Sequence, residues 1–273
     1  MNIKLTKKEA AKLKKQKIEA DKLIKQFESS SDPWNIKCSF AFFPKLIKYI
    51  SDKYIKPDIK NKSGDTPLHI ACISRHTEMV KLLLEARANV NIKNKYQYTP
   101  LHQASKMEFL EGMKLLLEAN ANPNIINILN NTPLHEVCEY LKFNKGMKLL
   151  LEAGADPNIK GYKGYTPLQM AIDKKNTEGI KLLLEAGANP NVNKNGITPL
   201  HQAYIHQFKN GMKLLLKAGA NSNINISNAH FYKEGFELLL NSHANNKNLC
   251  TSNIELWGYN KNRKVKLTFR KLL

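Results

Sequence analysis

The chain has 273 residues and a formal net charge of +20 at pH 7, with 43 Lys and Arg against 23 Asp and Glu. Its length allows one or two domains, and four cysteines are too few for a disulfide scaffold. No run of 18 apolar residues lacks a charge, so the sequence predicts no transmembrane segment.

The first segment, residues 1–32, is basic, and we expect a helix over residues 4–28. The apolar residues near one face of this helix are Leu13, Ala20, Ile24 and Phe27. We expect them to pack on the following segment as a cap; contact with an anionic membrane is the weaker alternative, because acids interrupt the charge. The segment lacks the apolar stretch of a secretory signal and the low acid content of a mitochondrial presequence. We therefore expect a cytoplasmic protein, or one exported to a host cell by a route that is not visible in the sequence.

Three motifs then recur five times in fixed order. Thr-Pro-Leu begins at Thr66, Thr99, Thr132, Thr166 and Thr198, in steps of 33, 33, 34 and 32 residues. Lys-Leu-Leu-Leu follows after 15 residues in four units and after 16 in the third unit. An Ala-Asn/Asp-x-Asn motif closes each unit. A fixed period of this length indicates a repeat protein.

Each unit predicts two helices joined by a turn. The threonine caps the first helix, and the proline takes the first helical position, where no backbone N–H is needed. The second helix has an apolar arc too wide to bury against one partner, so the units must stack. Left-handed glycines end three second helices, at Gly154, Gly187 and Gly219, whereas Arg87, Asn120 and His243 occupy the same position elsewhere.

A further set of glycines stands near the start of the second helices: Gly112, Gly146, Gly179, Gly211 and Gly235. Helix propensity disfavours glycine there by roughly 1 kcal/mol. Close approach of a neighbouring helix is one compensation that the sequence suggests.

The segments TPLHIA, TPLHQA, TPLHEV and TPLQMA, with KLLLEAGANPN, closely resemble the ankyrin repeat over about residues 33–247. The resemblance implies an all-α repeat fold: an ankyrin-type α-solenoid of helix-turn-helix units with short β-hairpin fingers. It also implies a protein-binding platform that uses the fingertips and the inner face of the first helices. Compact sequences rich in Asn and Lys resemble the ankyrin proteins of intracellular bacteria, some of which are effectors acting on host proteins.

The repeat pattern divides the chain into five segments. After the basic helix of residues 1–32 come a degenerate N-terminal cap repeat at 33–62 and five ankyrin repeats at 63–224. A truncated C-terminal cap repeat covers 225–247, and a basic tail covers 248–273. We expect the end of this tail to add a strand, to bind an acidic surface or to remain disordered.

No pattern of catalytic or metal-ligating residues emerges. His69, His102, His135 and His201 share one slot of successive repeats, about 8–10 Å apart, which is too far for one metal ion. Cys72 and Cys138 lie two repeats apart and cannot form a disulfide, so we interpret them as small core residues. No nucleophile elbow, phosphate-binding glycine loop or Cys-x-x-Cys occurs. We therefore expect no enzyme, no cofactor and no bound metal.

The variable residues of the fingertips and first-helix ends are the candidate binding surface. The predicted partner-binding residues are Tyr96, Tyr98, Lys106, Ile128, Leu129, Tyr140, Tyr162, Lys163, Tyr165 and Lys174. Tyrosine is enriched in binding hot spots, and lysine at the rim attracts an acidic partner. The prediction is a monomeric scaffold that binds a protein with an acidic surface. The alternative is binding of nucleic acid or an anionic membrane through lysine, and a third interpretation gives the charge no role beyond composition.

Overall fold

A computed structural model describes residues 7–29, 42–52, 55–140, 143–194, 196–222, 233–245, 254–260 and 263–269. In this part of the chain the structure contains thirteen α-helices. Their bounds are α1 Lys7–Ser29, α2 Phe42–Ser51, α3 Pro67–Ile73, α4 Thr77–Glu85, α5 Pro100–Lys106, α6 Leu110–Glu118, α7 Pro133–Cys138, α8 Asn144–Glu152, α9 Pro167–Asp173, α10 Thr177–Glu185, α11 Pro199–Ile205, α12 Lys209–Lys217 and α13 Lys233–Asn245. Two strands follow, β1 Ile254–Asn260 and β2 Arg263–Phe269.

The chain divides into an N-terminal unit, residues 1–133, and a C-terminal unit, residues 134–273. In the N-terminal unit, α3 packs on α5, and α2, α4 and α6 pack in succession. In the C-terminal unit, α9 packs on α11, and α8, α10, α12 and α13 pack in succession. Each unit is therefore a stack of helix pairs in which like helices of neighbouring repeats cover one another, as the period predicts.

The first helices begin as the Thr-Pro-Leu motif predicts. Thr66 has an extended backbone, and Pro67 is the first helical residue. The Thr66 N–H donates to Nδ1 of His69 at 3.1 Å. The same arrangement recurs at Thr99 and His102, with an N–H to Nδ1 distance of 3.2 Å. Because these groups are fully buried, the cap satisfies backbone N–H groups that no water can reach.

The glycines near the start of the second helices have a local cause. A Cβ on Gly211 would lie 2.5 Å from Cδ1 of Phe208, the residue that precedes α12. The rings of Phe109 and Phe143 occupy the same space over Gly112 and Gly146. The expectation of close helix approach is therefore corrected at these three positions, because the residue that caps the same helix leaves no room for a side chain.

The predicted C-caps form in the left-handed region. Gly154 and Gly187 have φ of 83° and 85°, and the residues that replace glycine, Arg87 and Asn120, have φ of 60° and 64°. His243 lies within α13, which continues to Asn245, so its assignment to a helix end was wrong. The turn between the two helices also holds a side chain at positive φ in four of the repeats, at Arg75 (53°), Glu108 (50°), Lys175 (52°) and Gln207 (51°).

The N-terminal helix packs on the segment that follows it, as expected. α1 packs on α2 and buries Ala20, Leu23 and Phe27. The Tyr49 hydroxyl donates to a Glu19 carboxylate oxygen at 3.1 Å and fixes this contact. Leu13 is 38% exposed, contrary to its predicted place on the packing face, because burial begins only at Ala20 in the second half of the helix.

The two strands form an antiparallel hairpin in which Leu256 pairs with Leu267 and Trp257 with Lys266. The tail thus adds the strand that was one of its three predicted alternatives, and this sheet is an addition to the all-α repeat. The repeats themselves have fingers that are tight turns; within their described residues only Lys194 and Ile197 form a bridge, so hairpin strands there are not confirmed. Among the described residues, none of the helices combines the length and apolarity that crossing a membrane requires.

Candidate functional site

The fingers are the turns that precede each Thr-Pro-Leu motif. They comprise residues 61–65, 94–98, 127–131, 161–165 and 193–197, numbered one to five. A buried asparagine organises each of the first three: in finger two, Oδ1 of Asn94 accepts the N–H groups of Tyr96 and Tyr98, both at 3.0 Å. Asn61 and Asn127 do the same in fingers one and three. These fingers therefore have a defined backbone before any partner binds.

Buried histidines hold fingers two and three on the preceding repeat. Nδ1 of His69 accepts the Thr66 N–H, so the ring proton is on Nε2, which donates to the Tyr98 carbonyl oxygen at 3.0 Å. His102 binds the Asn131 carbonyl oxygen in the same way, at 3.0 Å. Both ring nitrogens of this pair are used in hydrogen bonds, so His69 and His102 have a structural role.

Burial also fixes the charge state of these histidines. Desolvation lowers the pKa of His69 from 6.5 to about 4 and that of His135 to about 4, although hydrogen bonds to backbone carbonyls act in the opposite direction. Both imidazoles are consequently neutral at pH 7. A protonated ring could not accept the hydrogen bond from the threonine N–H, so the cap depends on neutrality.

The fingertips of the N-terminal unit present a row of apolar side chains. The Ile128 N–H donates to the Tyr96 carbonyl oxygen at 3.1 Å, which places fingers two and three side by side. Tyr96 and Ile128 are each 57% exposed, and Leu129 is 42% exposed. Ile126 beside them is exposed as well, although the sequence prediction did not include it. Exposed apolar residues that cluster are typical of an interaction surface.

Tyr98 and Lys106 contribute differently. The Tyr98 ring is half-buried and meets the His102 ring edge-on, with centroids 5.6 Å apart. The Lys106 ammonium lies 5.6 Å from the centre of the same Tyr98 ring. Tyr98 is therefore partly a packing residue that connects the buried histidine to the exposed surface.

The C-terminal unit carries the other five predicted residues. Finger four has Gly161 where fingers one to three have asparagine, and its residues Tyr162–Gly164 form one turn of 3-10 helix. Tyr162 at its tip is 51% exposed, and Lys163 has a positive φ of 53°. Tyr165 is half-buried, and its carbonyl oxygen lies 3.2 Å from Nε2 of His135.

The lysines of this unit have different partners. Lys174 forms an ion pair with Glu139 at 2.7 Å, so its ammonium already has a carboxylate partner within the chain. Lys163 lies over the Tyr162 ring, 5.1 Å from its centre, and Lys194 lies 3.1 Å from the centre of the Tyr165 ring. Lys194 was not among the predicted residues, although the repeat register places it at the tip of the fifth finger.

Further exposed residues extend this surface. Ile197 and Ile205, at the fifth finger and the end of α11, are exposed apolar residues that the prediction also left out. Tyr140, which the prediction included, is half-buried after the end of α7.

Polar side chains also connect α9 to α11. Asp173 of α9 accepts a hydrogen bond from Gln202 Nε2 and lies 3.0 Å from Nε2 of His206. These polar groups connect neighbouring first helices at the exposed edge.

The structure also describes the residues that were considered for chemistry. Cys72 and Cys138 are free and buried, and burial raises the pKa of both thiols, so neither is a reactive thiolate. Cys38 and Cys250 lie outside the described residues. Within the described part of the chain, no group of three His, Cys, Asp or Glu side chains is placed to hold a metal ion.

Comparison with known proteins agrees with this geometry. A family model for ankyrin repeats (three copies) matches residues 37–127 and 134–228, which together exceed half of the chain. The chain therefore belongs to the ankyrin-repeat family.

The crystal structure of the ankyrin repeat domain of Bcl-3, described as a unique member of the IkappaB protein family, is similar to this chain. The similarity has a TM-score of 0.68 and 24% sequence identity, and it covers 78% of this chain and 100% of the Bcl-3 chain. No curated protein matches the chain significantly. At this level of identity, the Bcl-3 comparison shows the shared fold alone.

Proposed function

We propose that this protein is a non-catalytic scaffold that binds another protein through its fingers and the adjoining ends of its first helices. Ankyrin repeats generally act as interaction scaffolds without enzymatic activity. The observation that carries the proposal is the row of exposed apolar fingertips in the N-terminal unit, where Tyr96 and Ile128 are each 57% exposed on adjacent fingers joined by a hydrogen bond.

The rigidity of these fingers supports the proposal. Ordering a loop on binding costs affinity, and a preformed loop avoids that cost. Asn94 and Asn127 each hold two N–H groups of their own finger, and His69 and His102 hold the finger of the next repeat. The aromatic and aliphatic side chains are thus displayed on a backbone that needs little further ordering.

The lysines support a protein partner more than nucleic acid or membrane. Part of the positive charge is engaged within the chain: Lys60 and Lys93 donate to backbone carbonyls of the next repeat, and Lys174 binds Glu139. Three other lysines lie over tyrosine rings: Lys106 over Tyr98, Lys163 over Tyr162 and Lys194 over Tyr165. This arrangement fits a partner that buries aromatic rings and presents acidic groups around them.

The test compares variants for binding of a protein captured by the wild-type chain. We expect the double variant Tyr96→Ala/Ile128→Ala to lose at least about tenfold in affinity, because hot-spot side chains contribute about 1–2 kcal/mol each. Ile18→Ala is the matched control, since Ile18 is also an exposed isoleucine (49%) but lies on α1. Equal binding by both variants would show that the fingertips are not the binding surface.

A salt series separates the proposal from its rival. Binding to nucleic acid by counterion release weakens steeply with salt and ignores base sequence. A tyrosine-centred protein interface should change by only a few-fold between 50 and 200 mM salt. If the chain instead binds DNA fragments of unrelated sequence with a steep salt dependence, and the Tyr96→Ala/Ile128→Ala variant binds them equally, the lysine-dependent alternative is correct.

The proposal includes three narrower statements. The scaffold acts as a monomer, its partner has an acidic surface, and it works in a cytoplasm, either in the producing cell or, as an effector, in a host cell. The resemblance to ankyrin proteins of intracellular bacteria supports the last of these. Sedimentation equilibrium of the full chain tests the first, with a dimer mass as the contradicting result.

A further inference from the structure

Fingers four and five bring two lysines and two tyrosines together in the C-terminal unit. The backbone of Lys194 is fixed in finger five, where its N–H and C=O form hydrogen bonds with Ile197 at 3.0 and 2.9 Å. Its side chain crosses to finger four and lies over the Tyr165 ring. On the same finger, Lys163 lies over Tyr162. Two adjacent fingers thus carry two Lys–Tyr pairs, named here the finger 4/5 cluster.

These two ammonium groups differ from those of Lys174 and Lys148 in the same unit. Lys174 and Lys148 are each within 4.0 Å of a carboxylate, at 2.7 Å from Glu139 and 3.7 Å from Glu152. Within the described part of the chain, neither Lys163 nor Lys194 has a carboxylate within 4.0 Å. Each of the two is matched only by the face of a tyrosine ring, which leaves its positive charge uncompensated.

The geometry favours binding of an anion at this cluster. A tyrosine face attracts an ammonium group and keeps it in place, so less side-chain entropy is lost when a second ligand of the cation arrives. Tyr162 is more than half exposed, and Ile197 beside Lys194 is also exposed. A ligand could therefore place carboxylates on the lysines while its apolar groups cover the tyrosine and the isoleucine.

We propose that the finger 4/5 cluster binds an acidic segment of the partner protein, with carboxylate side chains at Lys163 and Lys194 and an apolar side chain against Tyr162 and Ile197. This rests on the proposed function, and it adds the chemical class of the segment and the residues that select it. Lys174, one of the residues predicted from sequence, has no part in this recognition because Glu139 already binds it.

The experiment selects ligands without assuming their sequence. A library of random twelve-residue peptides displayed on phage is selected on the full chain, and recovered peptides are synthesised and measured by fluorescence anisotropy. Four proteins are compared: the wild type, Tyr162→Ala, Lys163→Gln/Lys194→Gln, and Lys213→Gln/Lys217→Gln. The last pair is a control that removes the same charge from exposed lysines of α12.

We expect the selected peptides to be enriched in Asp and Glu, and to bind Lys163→Gln/Lys194→Gln about tenfold more weakly. The α12 control should bind within about twofold of the wild type, since long-range attraction is screened in physiological salt. Equal losses in the two double variants, peptides without an acidic excess, or the recovery of no binding peptide would overturn the proposal. Peptides that lose binding with Tyr162→Ala but not with the lysine variants would contradict the acidic site while leaving the protein-binding function intact.

Discussion

The Nε2 atom of His135 lies 3.2 Å from the carbonyl oxygen of Tyr165, thirty residues further along the chain. A side chain buried in the first helix of one repeat thus holds the backbone of the next finger. The same finger carries the exposed side chain of Tyr162. His69 and Tyr98 have the same relationship in the N-terminal unit, at 3.0 Å. Cap formation, stacking of repeats and display of the fingers consequently depend on the same imidazole.

The first prediction concerns acid stability. The pKa of His69 and His135 is about 4 in the folded chain, below the usual 6.5, so the unfolded chain binds more protons between these values. Stability is therefore fully present above about pH 6.5 and falls as the pH decreases towards 4, by on the order of 3 kcal/mol for each histidine. Urea unfolding midpoints measured from pH 4 to 8 test this dependence.

Gln169 provides the control for that experiment. It occupies the histidine slot of the fourth repeat, and its Oε1 accepts the Thr166 N–H at 3.2 Å without a titrating group. The variant His69→Gln/His135→Gln should fold and show a flatter pH dependence between 4 and 6.5. An unchanged slope would mean that these histidines are not the source of the acid sensitivity.

A second prediction concerns Gly211. Helix propensity alone would make Gly211→Ala stabilising by roughly 1 kcal/mol. The added Cβ would lie 2.5 Å from the Phe208 ring, and overpacking of this kind costs about 1–3 kcal/mol, so we expect net destabilisation. In a Phe208→Ala background the same substitution should become stabilising. The measurement is the free energy of unfolding of four proteins: the wild type, Gly211→Ala, Phe208→Ala and the double variant. If the effects of the two substitutions on this free energy are additive, the Phe208 ring is not the cause.

The third prediction concerns the turn between helices of the first repeat. Arg75 has φ of 53°, a conformation that costs a side chain about 1–2 kcal/mol, whereas glycine adopts it freely. Arg75→Gly should raise the free energy of unfolding by up to about 1 kcal/mol, since the added freedom of the unfolded chain offsets part of the gain. Arg75→Ala removes the same charge but keeps the Cβ. It should therefore not stabilise the chain, and equal effects of both would contradict the explanation.

A fourth prediction concerns finger four. Gly161 replaces the asparagine whose Oδ1 accepts two N–H groups in fingers one to three, so finger four lacks that hydrogen-bond acceptor. Gly161→Asn should slow amide hydrogen exchange at Lys163 by about fivefold, corresponding to one net hydrogen bond of about 1 kcal/mol. Tyr165 should change less, because its N–H already donates to the Tyr162 carbonyl oxygen at 3.1 Å. Asn94→Gly should have the opposite effect at Tyr96 and Tyr98. Unchanged exchange in both variants would show that the asparagines do not set finger rigidity.

Much of the repeat could be predicted because its causes are local in sequence. Thr-Pro-Leu specifies a helix start by itself, and the period of about 33 residues requires stacking. The glycines of the second helices were harder to explain, since their cause is the ring of Phe208 and its equivalents three residues earlier. Leu13 was wrongly assigned to the packing face, because helical periodicity does not show how far along α1 the contact with α2 extends.

The candidate surface was predictable only as a set of exposed positions. Alignment of repeats identifies fingertips such as Tyr96 and Ile128, since finger positions follow from the repeat register. It does not show which charges are already paired: Lys174 binds Glu139 across repeats, whereas Lys194 lies over Tyr165. Such pairings depend on side-chain rotamers and on distances between fingers, which cannot be predicted from this sequence alone.

The most direct test of the central claim is hydrogen exchange of the full chain with and without its captured protein partner, followed by mass spectrometry. The account predicts protection of residues 94–98, 127–131 and 161–165, with no change in the backbone amides of α4, α6 and α10. Protection confined to those second helices or to α1, with unchanged exchange in the fingers, would contradict it.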